Sequence, residues 1–469
     1  MPSQRVTVLC CVTLLGLAAW SAKVAAAESA GPPNIVILYA DDLGYGDLGC
    51  YGHPTIRTPR LDRMAAEGMR LTQFYSAAPV CTPSRVALLT GQLPIRSGLT
   101  HVLFPRSTGG LQDGEITIAQ ALKAKGYATC CVGKWHLGHL PPYLPTRHGF
   151  DHYFGLPYSN DMLNPALPLM RDEQVIETNP DQSNLTERYT EEALKFIRQS
   201  SAANEPRKPF FLYLAYTYPH VPLHSRAPFA GKSSRGLFGD VVETIDWSVG
   251  RVLDTLRQQG VAENTFVFFS SDNGPWLTQH QRGGSAGLLR DGKGTTWEGG
   301  MREPGIAWWP GRIKPGQVNQ SIGSTMDLFV TSLKLAGAAV PGDRPIDGID
   351  LAPVLFEGRE LRDRVYFYYS GIELRAVRKG PWKLHVKTGH SNAGTWQTRP
   401  DDGTAAAAKK KAAKTPASPP KPGSPRLYHL EHDPAETFDL AAQNPDVVAD
   451  LLKEIEKHRA EMKPGTPQR

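Results

Sequence analysis

The sequence predicts an α/β fold in which a mostly parallel sheet is sandwiched by helices, with a smaller C-terminal subdomain of antiparallel sheet plus helix. Continuous apolar runs rich in Val, Ile, Phe and Tyr suit strands buried on both faces. Four such runs occur, at 35–40, 127–132, 210–215 and 266–269. Amphipathic helical segments lie between them, and strands that alternate with helices favour a parallel sheet covered on both faces.

The helical segments carry start and stop signals. Thr58 is a candidate N-cap, Pro59 fits the first turn and Gly68 fits the stop. A second helix is predicted at 117–126, ending at Gly126. Two longer amphipathic segments at 186–200 and 240–260 complete the set.

The pattern changes after about residue 335. The segment 364–386 predicts two or three antiparallel strands, and 433–462 predicts a turn and an amphipathic helix that begins near Asn444 or Asp446. We therefore divide the chain into a main domain at 28–335 and a C-terminal subdomain at 336–469. The stretch 402–425 is rich in Ala, Lys and Pro and cannot form a core, so we interpret it as a flexible surface loop.

The charge distribution argues against a nucleic-acid partner. The 469 residues carry a formal charge of +6. Arg5 and Lys23 lie near the N-terminus, and five further lysines lie in the Ala/Lys/Pro-rich stretch. Without these seven charges the chain is close to neutral, so a basic groove is not expected.

Residues 1–27 have the pattern of a secretory signal peptide. Arg5 precedes an apolar run at 6–20, and small residues in an A-x-A pattern precede Glu28. The alternative is an uncleaved anchor, but the run is short for a membrane span. With no other long apolar run, we expect an exported protein without a stable membrane span in the mature chain, periplasmic or secreted, or lysosomal in a eukaryote.

Four cysteines lie outside the leader: Cys50, Cys81, Cys130 and Cys131. Their spacing does not suit zinc, and so few cysteines do not make a disulfide scaffold. Cys130 and Cys131 lie in a predicted strand and should be buried. Cys81 lies in a polar stretch just ahead of a helix start, where a disulfide, a metal ligand, a nucleophile or a packing residue all remain open.

Polar side chains follow each of the four predicted strands. They are Asp41 and Asp42 after the first, Lys134 and His136 after the second, His220 after the third, and Asp272 and Asn273 after the fourth. Each one alone can be explained by turn chemistry. Together they indicate a site, because ligands bind at the carboxyl ends of the strands in such sheets.

The residue types at this edge indicate a cation and an anion together. Asp41, Asp42, Asp272 and Asn273 offer oxygen ligands, which suit calcium or magnesium rather than zinc. Without a cation, the three carboxylates would raise one another's pKa. The basic side chains are too numerous for a neutral substrate and favour a tetrahedral, multiply charged anion; they are Arg85, Lys134, His136, His220 and Lys293.

Several motifs resemble those of the type I sulfatases. The most specific is CTPSRVALLTG at 81–91, which matches the C-x-P-S-R signature of that family. NIVILYADDLGYGDLGCYG, GKWHLG, PH at 219–220, SDNG and GKGTTWEGGMREP follow in the family's order, so the resemblance covers nearly all of the mature chain. It is greatest to the branch of arylsulfatase A and N-acetylgalactosamine-6-sulfatase, and it implies an alkaline-phosphatase-like fold.

The resemblance implies that Cys81 is converted to formylglycine by a formylglycine-generating enzyme, which reads Pro83 and Arg85. A hydrated aldehyde offers two hydroxyl groups, one to attack sulfur and one to expel sulfate afterwards. The family also implies a calcium ion, with magnesium as the alternative. Its ligands would be the oxygen of residue 81 together with Asp41, Asp42, Asp272 and Asn273.

The remaining roles also come from the resemblance. Arg85 would hold the formylglycine hydrate, Lys134 and Lys293 would contact sulfate oxygens, and Ser159 would lie near the sulfate. A helix starting at about Ser84 would point backbone N–H groups at the anion.

Two histidines would move protons in this scheme. His220, with Lys293, would protonate the leaving alcohol, and His136 would take the proton from the second hydroxyl. The expected substrate is a sulfated saccharide or another sulfate ester, with specificity in loops such as 157–183 and 221–238. The alternatives are a phosphonate or phosphate monoester hydrolase of the same superfamily and an inactive protein that binds sulfated glycans.

Overall fold

The computed structural model describes residues 31–202, 208–389 and 424–468. The predicted signal peptide (1–27) and nearly all of the predicted loop at 402–425 lie outside these ranges. The strands in the described ranges are β1 (Asn34–Ala40), β2 (Met69–Tyr75), β3 (Ala128–Gly133), β4 (His152–Gly155), β5 (Pro168–Arg171), β6 (Gln174–Thr178), β7 (Phe210–Ala215), β8 (Thr265–Ser271), β9 (Arg302–Trp308), β10 (Gln317–Asn319), β11 (Gly323–Ser324), β12 (Val365–Ser370), β13 (Glu373–Lys379), β14 (Trp382–His385) and β15 (Arg426–His429).

The helices alternate with the strands through the first part of the chain. They are α1 (Pro59–Glu67), α2 (Cys81–Thr90), α3 (Pro94–Ser97), α4 (Ile118–Lys123), α5 (Leu185–Ser201), α6 (Leu237–Gln258), α7 (Glu298–Met301), α8 (Asp327–Leu335), α9 (Ala352–Glu357) and α10 (Pro445–Glu461). Among the described residues, no helix combines the length and apolar character that a membrane crossing requires.

The main sheet has eleven strands and is mostly parallel, as predicted. Its order is β10-β2-β9-β8-β1-β7-β3-β4-β5-β6, and β11 also pairs with β2. The central strands β8, β1, β7 and β3 run parallel, so that Val36 lies beside Leu212 on one side and Val267 on the other. The antiparallel pairs are β2–β9, β8–β9, β4–β5 and β5–β6.

The sheet is covered on both faces. Alternate residues of β1 enter two different apolar layers: Val36 and Leu38 pack with α1, α5 and α6, whereas Ile35 and Ile37 pack with α2, α4, α8 and α9. All seven residues of β1 are buried, which is why its sequence is continuously apolar rather than alternating. The predicted sandwich of helices around a parallel sheet is therefore confirmed.

Local sequence signals mark the ends of α1 and the start of α4. α1 begins at Pro59 and ends before Gly68 as predicted, and a Cβ at Gly68 would lie 2.1 Å from the carbonyl oxygen of Ala307. α4 ends at Lys123, three residues before Gly126. At its start Thr117 and Gln120 form a capping box, in which each side chain bonds the other's backbone N–H.

The C-terminal part contains a second sheet, with the order β12-β13-β14-β15, all antiparallel. Three of these strands fall in the segment predicted to form two or three. The fourth, β15, has four residues and was too short to recognise from its pattern. α10 follows Asn444 as predicted and packs Leu451 and Ile455 against this sheet.

A buried ion network joins the C-terminal sheet to the main domain. The Lys383 ammonium lies 2.8 Å from Oε1 of Glu298 and 3.1 Å from Oε1 of Glu436. His385 contacts the same Glu436 oxygen at 2.7 Å, and all four side chains are fully buried. Burial opposes the ionisation of Glu298, but Lys383 and Arg302 outweigh it and lower the pKa of Glu298 to about 2.

We predict that Glu298→Gln destabilises the protein. The change removes a buried charge that compensates Lys383, and breaking a buried ion pair costs about 3 kcal/mol in free energy of unfolding. The pKa of Glu298 lies below its ordinary 4.5, so its contribution is complete above pH 4.5 and fades as the pH falls towards 2. Urea denaturation at pH 7 and pH 3 measures both effects.

The matched control is Glu360→Gln, because Glu360 pairs with Arg362 on the surface, where both side chains are more than 40% exposed. This control should change the free energy of unfolding by no more than about 0.5 kcal/mol. Equal effects of the two substitutions would contradict a role for the buried network in stability.

Candidate active site

The polar groups that follow the strands meet at one edge of the sheet. Asp41 and Asp42 follow β1, Lys134 and His136 follow β3, His220 follows β7, and Asp272 and Asn273 follow β8. Cys81 and Arg85 come from α2, Ser159 follows β4, and Lys293 lies in the loop before α7. None of these eleven residues is more than 6% exposed. The structure thus brings together every residue that the sequence singled out.

Cys81 is the first residue of α2, so the helix begins three residues earlier than the predicted start at Ser84. Its Sγ atom lies 3.6 Å from Oδ1 of Asp41. Burial raises the pKa of the Cys81 thiol to about 12, although Lys134 and Lys293 oppose the shift. Because the thiolate is the reactive form of cysteine, the unmodified side chain is a poor nucleophile at neutral pH.

Arg85 lies one turn further along α2 and is fully buried. Its Nε and Nη2 donate to Oδ2 of Asp272 at 3.1 and 2.7 Å, and its Nη1 donates to the carbonyl oxygen of Lys134 at 3.1 Å. Nη2 also lies 3.6 Å from Oδ2 of Asp41. The guanidinium group therefore fixes α2 relative to the ends of β1, β3 and β8.

Lys134 contacts both an acid and a hydroxyl group. Its Nζ donates to Oδ2 of Asp41 at 2.5 Å and to Oγ of Ser159 at 3.1 Å. Burial opposes the ionisation of Asp41, but Lys134 and the neighbouring cations outweigh it and hold the pKa of Asp41 well below its usual range. Burial and Asp41 raise the pKa of Asp272 to about 7, against the opposing effect of Arg85.

Lys293 and His220 both face Asp42. Lys293 Nζ donates to Oδ2 of Asp42 at 2.8 Å and lies 4.4 Å from the ring centroid of Trp276. His220 Nε2 lies 3.7 Å from the same Asp42 oxygen, and its Nδ1 lies 2.5 Å from the carbonyl oxygen of Val221. A carbonyl oxygen only accepts, so Nδ1 carries a proton. Burial and Lys293 lower the pKa of His220, so Nε2 is mainly unprotonated near neutral pH.

His136 is held by the loop that contains Leu103. Its Nε2 lies 2.9 Å from the carbonyl oxygen of Leu103 and must donate to it, which leaves Nδ1 as an acceptor. Nδ1 is buried and has no hydrogen-bond partner among the described residues. Burial and Lys134 hold the pKa of His136 well below its ordinary value. The Thr82 hydroxyl group bonds to both of these residues: it donates to the His136 carbonyl oxygen at 2.9 Å and accepts from the Leu103 N–H at 3.2 Å.

The donor atoms fit a cation. One oxygen, nitrogen or sulfur atom from each of Asp41, Asp42, Cys81 and His220 lies within 4.8 Å of the others. Asn273 donates through Nδ2 to Oδ1 of Asp42 at 2.7 Å. Its Oδ1 is buried and has no hydrogen-bond donor among the described residues. A buried acceptor without a donor beside two carboxylates is the arrangement that a hard cation satisfies.

The cluster differs from the ligand set expected from sequence. His220 joins it, whereas Asp272 gives Oδ2 to Arg85 and accepts the Asp42 backbone N–H through Oδ1 at 3.1 Å. Arg85, Lys134 and Lys293 also neutralise the three carboxylates. Repulsion between the acids therefore does not by itself require a metal. The argument for one rests on the donor atoms.

A cleft of about 980 Å³ opens above these residues. Cys81, His136, His220 and Lys293 line its floor. Its walls come from 100–104, from Ser159 to Met162, and from two segments of the C-terminal sheet at 370–375 and 387–389. The predicted specificity loop 157–183 therefore contributes, but the described residues that line the cleft include none from 221–238.

Sequence reasoning missed Trp276, Thr82 and the wall from the C-terminal sheet. Trp276 lies four residues beyond Asp272, but one aromatic residue after a turn carries no signal of its own. The wall residues are distant in sequence and have no shared pattern. Only the packing of the two domains brings them to the cleft.

Comparison with known proteins agrees with this geometry. The chain matches the sulfatase family model over residues 33–338 and the model for the C-terminal region of aryl-sulfatase over 361–469. It is 44% identical to N-acetylgalactosamine-6-sulfatase of Canis lupus familiaris, covering 96% of this chain and 90% of the relative, and 42% identical to arylsulfatase A of Homo sapiens, covering 92% and 89%. A sulfatase crystal structure from Pseudoalteromonas sp. superposes with a TM-score of 0.80 at 30% identity, covering 95% of each chain.

We predict that the protein binds one calcium ion and that Asp42→Asn weakens this binding by about tenfold or more. The substitution keeps the volume and one oxygen ligand but removes a charge, and ligand charge count sets affinity in oxygen sites. Isothermal titration calorimetry with calcium chloride measures the affinity. Calcium should also raise the melting temperature of the wild type, because it binds the native state.

Asp246→Asn is the matched control. Asp246 is also a buried acid, 3% exposed, but it accepts the N–H groups of Arg60 and Leu61 at the start of α1, away from the cluster. Its replacement should leave calcium affinity unchanged. If the wild type binds no calcium at millimolar concentration, the cation site is wrong.

Proposed function

The chain belongs to the sulfatase family and hydrolyses sulfate esters, and we propose that it does so with calcium and with a formylglycine made from Cys81. The observation that carries this proposal is the position of Cys81. It lies at the first turn of a helix on the floor of the cleft, beside an oxygen-rich cluster and among several basic groups. These surroundings suit a multiply charged tetrahedral group, such as the sulfate of the substrate, better than a neutral group.

Conversion of Cys81 to formylglycine gives the site a nucleophile that the thiol cannot provide. The buried thiol has a pKa of about 12 and is neutral at working pH. An aldehyde at this position adds water to form two hydroxyl groups on one carbon. One hydroxyl oxygen attacks sulfur, and loss of the other hydroxyl proton later releases sulfate. A formylglycine-generating enzyme would act on the chain before the cleft has formed, because the folded protein buries Cys81.

Calcium, bound by Asp41, Asp42, Asp272, Asn273 and the oxygen of residue 81, would supply Lewis-acid polarisation and would lower the pKa of the attacking hydroxyl. The chain itself does the positioning. Arg85, held by two hydrogen bonds to Asp272, keeps residue 81 against the cluster. Magnesium is the alternative cation, since it also prefers oxygen ligands.

Lys134 and Lys293 bind the sulfate oxygens in this proposal. Each ammonium group has three N–H donors, and each gives one of them to an aspartate, at 2.5 Å for Lys134 and 2.8 Å for Lys293. The acids fix the direction of the ammonium groups, so little reorganisation is needed as charge builds on the sulfate. Ser159, bonded to Lys134 at 3.1 Å, adds a hydroxyl near the same position.

The two histidines divide the proton transfers. Nε2 of His220 faces the cluster, so a proton on this atom can pass to the oxygen of the departing alcohol when the sulfur–oxygen bond breaks. Nδ1 of His136 is an acceptor without a donor among the described residues and takes the proton of the second hydroxyl. Sulfate then leaves with the electron pair of its bond to carbon, and the aldehyde is restored. The low pKa of His136 keeps its acceptor form available.

The substrate that we propose is a sulfated saccharide of the glycosaminoglycan type. One relative is named N-acetylgalactosamine-6-sulfatase, and a cleft of about 980 Å³ has room for more than one sugar ring. A sulfate on the 6-position of a hexosamine or galactose fits this name. Aryl sulfates serve as artificial substrates.

We also infer that the protein is exported, because its first 27 residues have the pattern of a signal peptide. Periplasmic or secreted locations fit a bacterial source, and a lysosomal location fits a eukaryotic one.

We predict that Cys81→Ala abolishes hydrolysis of an aryl sulfate and leaves the melting temperature nearly unchanged. The side chain serves the reaction, and its one hydrogen bond to a described residue is the long contact with Asp41 at 3.6 Å. Cys131→Ala is the contrasting control, because Cys131 lies in the core of β3 at 0% exposure and its loss should lower stability more than activity. Mass spectrometry of the peptide around residue 81 should show an aldehyde in place of the thiol.

Three results would contradict the proposed function. The first is full activity of Cys81→Ala, and the second is faster turnover of an aryl phosphate than of the matching aryl sulfate. The second result would identify a phosphate monoester hydrolase. The third is the presence of active-site formylglycine without cleavage of any sulfate ester, in which case the protein is instead an inactive glycan-binding relative.

We predict that His220→Gln slows hydrolysis of a sugar sulfate by about 10²- to 10⁴-fold but slows 4-nitrophenyl sulfate much less. A sugar alcohol is a poor leaving group and needs a proton, whereas 4-nitrophenolate leaves without one. Burial and Lys293 lower the pKa of His220. In the wild type, the protonated form of His220 and the rate of sugar sulfate hydrolysis should therefore both increase as the pH falls below 6.5. Steady-state kinetics on both substrates from pH 4 to pH 8 test this role, and equal losses on both would remove it.

A further inference from the structure

We propose that Arg375 and Lys387 of the C-terminal sheet bind a second anionic group of the substrate, a carboxylate or a sulfate on the sugar next to the one that is cleaved. The proposal rests on the proposed function, because it concerns the same cleft. It commits the enzyme to an acidic saccharide rather than to one with a single sulfate.

The C-terminal sheet forms the outer wall of the cleft. Three parts of this sheet region line the cleft together with Cys81 and Lys293. They are the turn between β12 and β13 (370–373), Arg375 on β13 and the segment 387–389 after β14. Gly371 lies at the tip of the turn, where a Cβ would approach His101 of the main domain to 3.0 Å. The turn therefore lies close to His101, and Arg375 and Lys387 line the same cleft.

Arg375 is only partly committed within the protein. Its side chain is 22% exposed, and Nη2 donates to Oε2 of Glu373 at 2.9 Å. Its Nε is buried and has no acceptor among the described residues. A Cβ at position 389 would lie only 2.8 Å from Nη1, so Gly389 lets the guanidinium group pack closely against the backbone at this position. A partly exposed guanidinium group on a cleft wall, with one N–H group that has no acceptor among the described residues, suits an anionic ligand.

Lys387 adds a second positive charge to the same wall. Its side chain is 56% exposed and pairs with Oε1 of Glu373, so that one carboxylate serves two cations. A structural ion pair would need only one cation. Arg375, Lys387 and Glu373 together carry a net charge of +1. The other acid among the described residues that line the cleft is Asp161.

The cleaved sulfate does not account for these cations. Lys134 and Lys293 are buried and bonded to Asp41 and Asp42, whereas the Arg375 and Lys387 side chains are 22% and 56% exposed. They suit a second anionic group of the substrate. Arginine forms paired hydrogen bonds with carboxylate and sulfate oxygens, so either source of the anion fits.

The test compares kcat/KM for four probes. They are 4-nitrophenyl sulfate and three disaccharides with a 6-sulfated hexosamine, linked to a neutral hexose, to a uronate, or to a second sulfated hexose. Arg375→Gln should lower the ratio of kcat/KM for the acidic disaccharides to that for the neutral one by about three- to tenfold. The uronate and the second sulfate show which anion is recognised.

Glu373→Gln should raise the ratio of kcat/KM for the acidic disaccharides to that for the neutral one. This substitution removes the carboxylate charge that pairs with Arg375 and Lys387. Arg375→Lys should recover part of the loss. Lys379→Gln is the matched control, because Lys379 ends the same strand but pairs with Glu454 outside the cleft. In the wild type, added salt should reduce the ratio, since partly exposed charges are screened.

Unchanged ratios in both Arg375→Gln and Glu373→Gln, with wild-type turnover of 4-nitrophenyl sulfate, would overturn the second anion site and leave the proposed function standing. Shifts of the ratio in opposite directions in Arg375→Gln and Glu373→Gln support the site even if one variant is less stable. A folding defect would lower kcat/KM for all four probes together and leave the ratio unchanged. Absence of sulfatase activity in the wild type would instead remove the proposed function itself.

Discussion

The structure depends on a balance of charges buried at the carboxyl edge of the sheet. Asp41, Asp42 and Asp272 lie in the interior, where an isolated charge is costly, and Arg85 and two lysines compensate them. Each of the three acids is therefore paired with a basic side chain. This pairing also means that a bound divalent cation makes the site net positive, which is the state that a sulfate ester and its charged transition state require.

The parallel strands explain why this balance could be predicted in part. A strand buried on both faces is continuously apolar, so the abrupt change from Ala40 to Asp41, or from Ser271 to Asp272, marks where the strand leaves the core. Parallel strands end at the same edge, which made the convergence of these groups foreseeable without coordinates. The four central strands and the two-sided cover of helices were predictable for this reason, whereas the antiparallel C-terminal sheet was predictable from its own short strand pattern.

Other features were not predictable because they depend on contacts between distant segments. The start of α2 at Cys81 is set by tertiary packing around the site, since the chain offers no side-chain cap there. The commitment of Asp272 to Arg85, and the place of His220 in the donor cluster, depend on side-chain geometry that a motif does not encode. β15 follows a long interruption and is too short for its period to be read.

The division of labour between the two domains follows from the same geometry. The main domain holds the reacting groups at nearly zero exposure, so their environment is fixed and tolerates little variation. The outer wall comes from hairpins of the C-terminal sheet, whose side chains are partly exposed and can vary without disturbing the charge balance below. Glu298 connects the two parts, because it lies five residues after Lys293 and is bonded to Lys383 of the C-terminal sheet. Under the proposed function, the reacting groups come from the main domain, whereas the cleft walls come from both parts of the chain, and the buried ion network connects the two parts.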